Sequence, residues 1–457
     1  MDTPSLLTEP EGKTLEFKRD LSSPRHILRT TVAFANSAGG SIVVGVEDGS
    51  RNVRGIDEPL DDEERLANIL SDGISPRLAP DIEIVPWRAT HLLIVTVFPG
   101  PARPYHLKAE GPDEGVYVRV GSTNRRADAT LIAELARSAR GESYDEQPFT
   151  EADVSGVDLP RTAALFEGIR PIRERDLTTL RLVTGHQGKH VPTVGGILLF
   201  GRDRDVHFPD AEVRAARFKG TDRHTIIDSK DFGAASLPEQ VELGMQFVQR
   251  HVLRRLEIGR VRHEEWWEYP LVAVREALTN AVVHADYSQT GSPIRVSVYD
   301  DRIEIENPGN LVPGLTIPDV LAGVSKLRNR VIGRVFRELR LIEQWGSGVR
   351  RMTAACREAG LPDPLLEELG THFRVTLYSS REHEAGLDPV DGEILAALQS
   401  EGLPTRGIAE RVGLTTRAVR TRLAKLVERG IIVEVGSGPN DPHRQYFVAE
   451  ERGRYGK

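Results

Sequence analysis

The feature that most constrains this chain lies near its C-terminus, where apolar residues recur three times at helical spacing and then twice at strand spacing. From Asp388 the sequence reads DPVDGEILAAL, PTRGIAERVG, LTTRAVRTRLAKLVERG and IIVEVGSGPNDPHRQYFVAE. Ile394, Leu395 and Leu398 stripe the first segment, Ile408, Ala409 and Val412 the second, and Ala418, Val419, Leu423, Leu426 and Val427 the third, each at a 3.6-residue period. Gly413 supplies a tight turn between the second and third helices, and Thr415 is placed to cap the third. The order is helix, helix, helix, hairpin.

That order predicts a winged helix-turn-helix over 388–450. The polar face of the third helix carries Thr416, Arg417, Arg420, Thr421 and Lys425, residue types that meet base edges and phosphates when a helix enters the major groove. Between Pro404 and Arg429 basic residues far outnumber the acidic Glu410 and Glu428. Ile431 to Val435 and Gln445 to Val448 read as the strands of a wing whose loop presents His443 and Arg444. Double-stranded DNA is the expected partner, with Thr416, Arg417, Arg420, Thr421 and Arg444 in contact. Each such module covers only part of a groove, so a homo-oligomer reading paired half-sites is expected. A winged helix used only for protein contact is the alternative.

At 457 residues the chain exceeds what one core usually supports, and its fold class reads as multidomain α/β (α+β). Two turn-rich stretches, 141–160 and 381–389, look like boundaries. The expected pieces are 1–140, an α/β connecting region over 160–265, a module over 266–380, and the winged helix. A formal net charge of −8 argues against indiscriminate coating of nucleic acid, so contact with DNA must come from a local basic face. No apolar run is long enough to span a membrane, and the N-terminus lacks the pattern of a secretory signal. The one cysteine, Cys356, leaves no internal disulfide, which suits a cytoplasmic protein.

In the N-terminal piece, Thr14-Leu-Glu-Phe-Lys18 alternates, putting Leu15 and Phe17 on one face and Glu16 with Lys18 on the other. Ser23-Pro24 opens a helix that closes at Ala38-Gly39-Gly40, and Ser41 to Val46 is a near-continuous apolar strand ending in Glu47-Asp48. These residues carry a resemblance: E-x4-E-F-K at Glu11, Glu16, Phe17 and Lys18, F-A-N-S-x-G-G at Phe34 to Gly40, G-V-E-D-G at Gly45 to Gly49, and a closing strand and turn over Gly115 to Arg126. Residues 5–140 are similar to the Schlafen AlbA-type domain. The resemblance implies one of two activities. A metal-dependent nuclease would bind Mg²⁺ or Mn²⁺ through Glu11, Glu16 and Glu47 or Asp48, with Lys18 stabilising charge on the phosphorus. A module that binds DNA or RNA would instead use Arg119, Arg125 and Arg126 on phosphates. A surface pair of Glu16 with Lys18 on a half-exposed strand is the purely structural reading.

The middle of the chain reads as α/β, with Thr193 to Gly201 a buried strand and Glu239 to Leu256 a long helix. From Tyr269 the run YPLVAVREALTNAVVHADY places Glu276, Asn280 and His284 on one helix face. Strands follow at Ile294 to Tyr299 and Arg302 to Glu306, then Asn307-Pro-Gly309, a loop with Lys326 and Arg328, Gly346-Ser-Gly348 opening another helix, and a strand at Phe373 to Tyr378. This order, over 265–380, resembles the GHKL ATP-binding fold shared with histidine kinases. The resemblance implies ATP with Mg²⁺: Asn280 on the ion, Glu276 as a base orienting water, Gly346 and Gly348 at phosphate, and Lys326 and Arg328 in a lid. It also places Asn307, with Gly309, where the family has an aspartate that accepts the adenine amino group, so that bond loses its charge assistance. The function expected from the whole is a nucleotide-responsive DNA-binding transcriptional regulator. A metal-dependent nuclease and an ATPase that drives an assembly are the alternatives.

Overall fold

The computed structural model describes residues 6–7, 9–48, 51–252, 254–258, 263–342, 348–379, 389–398, 402–428, 431–435 and 445–448. Gly346, His443 and Arg444 lie outside the described residues.

In the N-terminal domain, strand β1 (Leu15–Lys18) runs parallel to β2 (Gly40–Val44), and the connection between them is helix α1 (Pro24–Asn36). Helix α2 (Pro59–Gly73) and the antiparallel strands β3 (Asp81–Trp87) and β4 (Thr90–Val97) complete a four-stranded sheet of order β1-β2-β4-β3. One face packs Ile42, Val44, Leu93 and Val95 on Ile27 and Phe34 of α1 and Leu66 of α2. Leu15 and Phe17 pack on the other with Val43 and Leu92, as the alternation predicts. The F-A-N-S-x-G-G motif explains itself locally. The Asn36 amide donates to the carbonyls of Tyr105 and Tyr117 at 2.8 and 2.9 Å, and its Oδ1 accepts from Tyr105 N at 2.8 Å. Gly40, at φ 155°, leaves no room for a Cβ against the Thr14 backbone, 2.7 Å away. The hairpin β5 (Tyr117–Val120) and β6 (Thr123–Arg126) leads into α3 (Ala129–Arg140), capped by the Asp128 carboxylate on Leu131 N.

The stretch Thr193 to Gly201, expected as a strand, contains helix α4 (Val194–Phe200). All seven of its residues are buried, so the apolar run carries no period that separates strand from helix. The Thr193 hydroxyl decides it by accepting from Gly196 N. Beyond it come strands β7 (Val213–Phe218) and β8 (Ile226–Asp231), helices α5 (Leu237–His251) and α6 (Leu271–His284), and strands β9 (Ile294–Val298) and β10 (Arg302–Pro308). Helices α7 (Arg330–Glu338) and α8 (Gly348–Glu358) and strands β11 (Leu365–Leu369) and β12 (His372–Tyr378) follow. The helix expected to reach Leu256 stops at His251, where Val252 turns extended, and Arg254–Ile258 pairs with His263–Trp267 as a hairpin. The six strands form one sheet, β8-β7-β9-β10-β12-β11, in which β7 runs parallel to β9 and every other pair is antiparallel. Segments 160–265 and 266–380 are therefore joined by one sheet and by one core, with Val213, Leu278, Val296 and Phe336 in contact across them.

The polar stretch after α3 also enters this core. Asp145 is fully buried, and its carboxylate accepts from Arg330 N, Val331 N and Ile332 N at 3.0, 2.7 and 2.9 Å and from the Ser143 hydroxyl at 2.5 Å. It caps α7 from nearly 190 positions away. Burial raises its pKa to about 6, against the pull of those four hydrogen bonds. A carboxyl raised in the folded state contributes stability that is complete below the unfolded pKa near 4 and is lost as pH rises through 6. Asp145→Ala is expected to remove this slope, roughly 3 kcal/mol between pH 4 and 6, and to lower stability at pH 4 by about 1–3 kcal/mol through the orphaned N–H groups. Urea denaturation at both pH values checks it.

The C-terminal unit has α9 (Pro389–Leu398), α10 (Thr405–Val412), α11 (Thr416–Glu428) and a pair of antiparallel strands, β13 (Ile432–Val435) and β14 (Gln445–Val448). Ile394, Leu398, Ile408, Val419, Leu423 and Tyr446 form its core, and Gly413 makes the turn at φ 69°. Among the described residues no helix is long and apolar enough to cross a membrane.

Candidate functional site

Helix α6 presents Glu276, Asn280 and His284 to a cavity closed on its other sides by Asn307, Gly309, Lys326, Arg328 and Gly348. Residues far apart in sequence thus meet at one place. The Asn280 amide donates to Glu276 Oε1 at 3.3 Å, and the other Glu276 oxygen pairs with Arg351 from α8. Gly348 opens α8 directly against that carboxylate, and a Cβ there would overlap Glu276 Oε1. Only glycine allows this approach of helix terminus to carboxylate. Gly348→Ala is expected to push Glu276 out of place and to weaken whatever the cavity binds at least tenfold, with the fold retained; ligand titration of the folded variant checks it.

Around the rim, burial and the neighbouring Arg328 lower the His284 pKa to about 4, so its imidazole is neutral at physiological pH. Asn307 is buried and spends its amide on Pro308 O at 2.9 Å. Gly309, at φ 93°, passes so close to Asp286 that a Cβ would stand 2.8 Å from that side chain. Lys326 reaches the Pro313 carbonyl at 3.1 Å. Arg328, expected in a lid, is instead a buried clasp. Its guanidinium bonds Glu134 of α3 and the Asn310 carbonyl and stands 4.0 Å from Asp286. Burial alone would raise the Asp286 pKa, but Arg328 and the donors Ser288 and Gln289 hold it below the usual carboxylate range.

The N-terminal carboxylates are arranged differently from the metal site expected of them. Glu11 accepts from Phe17 N at 2.7 Å, Glu16 is held by both Lys18 and Arg119, Glu47 pairs with Arg54 at 2.5 Å, and Asp48 is exposed. Burial raises the Glu11 pKa, Phe17 N–H opposes this, and the charges of Glu16 and Asp48 add to the rise. Among the described residues no three His, Cys, Asp or Glu side chains are grouped so as to hold a metal ion. Glu16 is paired with two cations of the chain itself, Lys18 and Arg119. Lys18 is committed to Glu16 rather than open to a phosphate. Arg119, read from sequence as a phosphate contact, is buried on Gly12 O, Asn124 Oδ1 and Glu16, over the Phe34 ring at 5.2 Å. Arg126 pairs with Glu114, whereas Arg125 projects into solvent.

On the winged helix, the expected face is the open one. Thr416, Arg417, Arg420, Thr421 and Lys425 are exposed, while Val419, Leu423 and Leu426 are buried on the opposite side. Arg422, between the two faces, is tied to Asp391 at 2.6 Å. Thr421 turns its hydroxyl back onto Arg417 O at 3.2 Å.

Three family models match this chain. Residues 11–128 match "Schlafen, AlbA_2", residues 291–377 match "Putative ATP-dependent DNA helicase recG C-terminal", an ATPase-type module, and residues 387–433 match "Winged helix-turn-helix DNA-binding". Among solved structures, the crystal structure of the DIP2311 protein from Corynebacterium diphtheriae is similar at 20% identity, with a TM-score of 0.45 over 98% of this chain and 96% of that one. The N-terminal domain of a RecG-related protein from Nitrosomonas europaea, solved by NMR, is 26% identical over 27% of this chain and 91% of that one, with a TM-score of 0.22. The chain thus unites an AlbA_2 domain, an ATPase-like module that points to nucleotide binding, and a winged helix that points to DNA binding.

Proposed function

We propose that this three-module chain is a nucleotide-responsive transcriptional regulator, in which the winged helix contacts duplex DNA and the cavity beside Asn280 takes ATP. The observation that carries this reading is the convergence of Glu276, Asn280, Asn307, Gly309, Lys326 and Gly348 on one cavity, in a chain that also exposes Arg417 and Arg420 on a helix-turn-helix. The Asn280 amide oxygen is a hard donor suited to Mg²⁺, which would neutralise phosphate charge when bound, and Glu276, one helical turn away, would orient the attacking water. Gly348, at the start of α8, adds close backbone approach. The first test is calorimetric titration of ATP with Mg²⁺ into the wild type and Asn280→Ala, where binding by the first and loss in the second is expected. The second is a gel shift on the DNA upstream of the chain's own gene, whose midpoint should move about fivefold or more with ATP. No shift, or a shift indifferent to ATP, overturns the reading.

A nuclease reading draws on the AlbA_2 match and on the mutual influence of Glu11, Glu16 and Asp48. It requires Glu16 to leave Lys18 and Arg119. Cleavage of RNA or DNA with Mn²⁺ that disappears in Glu11→Ala and Glu16→Ala would favour it; cleavage that persists in both would place the activity elsewhere.

A further inference from the structure

The six-stranded sheet ends differently at its two edges. At one, β11 is closed by the chain's own segments: Glu368 pairs with Lys13 and accepts from Leu311 N at 3.0 Å, and the Asn310 amide donates to Gly370 O at 2.8 Å. At the other, β8 pairs with β7, and among the described residues no strand lies on its far side. Ile226 and Ile227 are each 58% exposed there, and Ser229, Lys230 and Asp231 are exposed beside them. An edge of unpaired N–H and C=O groups is a template for another strand.

Which backbone groups face outward follows from the ladder. Asp231 to Asp228 pair in order with Arg214 to Arg217, and Phe232 N donates to Val213 O at 3.0 Å. Antiparallel strands turn alternate residues toward each neighbour, so Lys230 and Asp228 bond β7 as Phe232 does, while Ser229 and Asp231 turn to the open edge. A two-fold axis between two copies of β8 must set one residue opposite its own copy. Centred on Asp228, Lys230 or Asp231, it opposes like charges. Centred on Ile227, it runs off the start of the strand, and only Ile226–Asp228 find strand residues opposite them. Centred on Ser229, it engages residues 227–231 and sets Asp228 opposite Lys230 of the other copy at two places. It also brings the exposed isoleucines against the Phe232 end of the other strand. Asp228 is held ready for this by His251 of α5, whose Nε2 stands 2.9 Å from Oδ2.

We propose that β8 is a self-association surface, on which a second copy of this chain adds its own β8 antiparallel about Ser229 and joins the two sheets into one. The charge pattern of the strand selects a second copy as the occupant, because Asp228 and Lys230 complement each other only across that axis. The contact makes no use of the Asn280 cavity and stands apart from the nucleotide reading. It bears on DNA, since one winged helix reads only part of a groove and a two-fold dimer presents two. Residues 227–231 alone bury less area than a permanent dimer needs, so association depends on concentration.

The experiment is sedimentation of the full chain at roughly 1–200 µM, without nucleotide or DNA. Wild type should pass from monomer to dimer across that range. Lys230→Glu sets like charges opposite each other and should weaken the dimer about tenfold or more. Ser229→Pro removes an N–H that faces the second copy and none that faces β7, so it should melt with the wild type and stay monomeric. Ser229→Cys should cross-link to its own copy under oxidation, because the opposed Cα atoms stand about 5.5 Å apart, and the buried Cys356 does not compete. A wild type that stays monomeric throughout overturns the inference, while the ATP and gel-shift tests of the regulator remain open. A dimer that Lys230→Glu leaves intact overturns it as well, whether or not Ser229→Pro folds, since its contact lies elsewhere. A dimer weakened by Lys230→Glu in which Ser229→Cys does not cross-link overturns the axis at Ser229.

Discussion

Replacing Arg328 with alanine should lower the stability of the N-terminal and ATPase-like modules by about 3–5 kcal/mol, the range for removing one partner of a buried charge pair. The side chain is only 7% exposed and holds Glu134 of α3 and the Asn310 carbonyl, with Asp286 at 4.0 Å. Its loss strands the buried Asp286 on one side of the junction and the half-buried Glu134 on the other. Lysine should not rescue it, because one ammonium cannot reproduce the forked contacts of a guanidinium. Glu134→Gln should cost less, since Arg328 keeps Asp286 and the carbonyl. The Asp286 contribution has a defined pH sign. Its pKa is lowered in the fold, so that stability is present at neutral pH and is lost as pH falls through the acidic range. Urea denaturation of the full chain, followed through a double-mutant cycle of Arg328→Ala with Glu134→Ala, measures the coupling. A loss below about 1 kcal/mol would mean that water replaces the clasp.

What was legible from sequence is a matter of distance along the chain. The winged helix was readable because each of its helices has one buried stripe, and the exposure of Arg417 and Arg420 follows from the same period that buries Val419 and Leu423. The faces of β1 and of α6 were readable for the same reason. Position along an element says nothing about partners beyond it, and there the reading failed. Arg119 sits in a hairpin rich in arginine, yet its partner Glu16 lies 103 positions away. Arg328 looked like a lid residue until Glu134, 194 positions away, closed on it. The acidic stretch after α3 looked like a linker, and Asp145 within it caps α7. Where every residue of a run is buried, as in Val194–Phe200, even the period vanishes and a helix passes for a strand. Charged residues near a junction therefore need their partners known before they can be assigned to a ligand.

That rule sharpens the second large effect, on DNA. The double variant Arg417→Ala/Arg420→Ala should bind duplex at least about a hundredfold more weakly, because each guanidinium supplies a charge-assisted contact worth roughly 1.5–3 kcal/mol. Both are exposed on α11, three residues apart and one helical face wide. Arg422 is the internal control. It carries the same charge on the same helix, but its guanidinium is bound to Asp391 at 2.6 Å, so Arg422→Ala should alter the stability of the winged helix more than its affinity. With a net charge of −8 on the chain, the rest of the surface cannot substitute for the lost pair. The slope of log affinity against log salt should flatten by about two in the double variant and stay unchanged in Arg422→Ala. Fluorescence anisotropy on one duplex at several salt concentrations separates the cases. Equal salt slopes for wild type and double variant would mean that another face of the chain touches the phosphates.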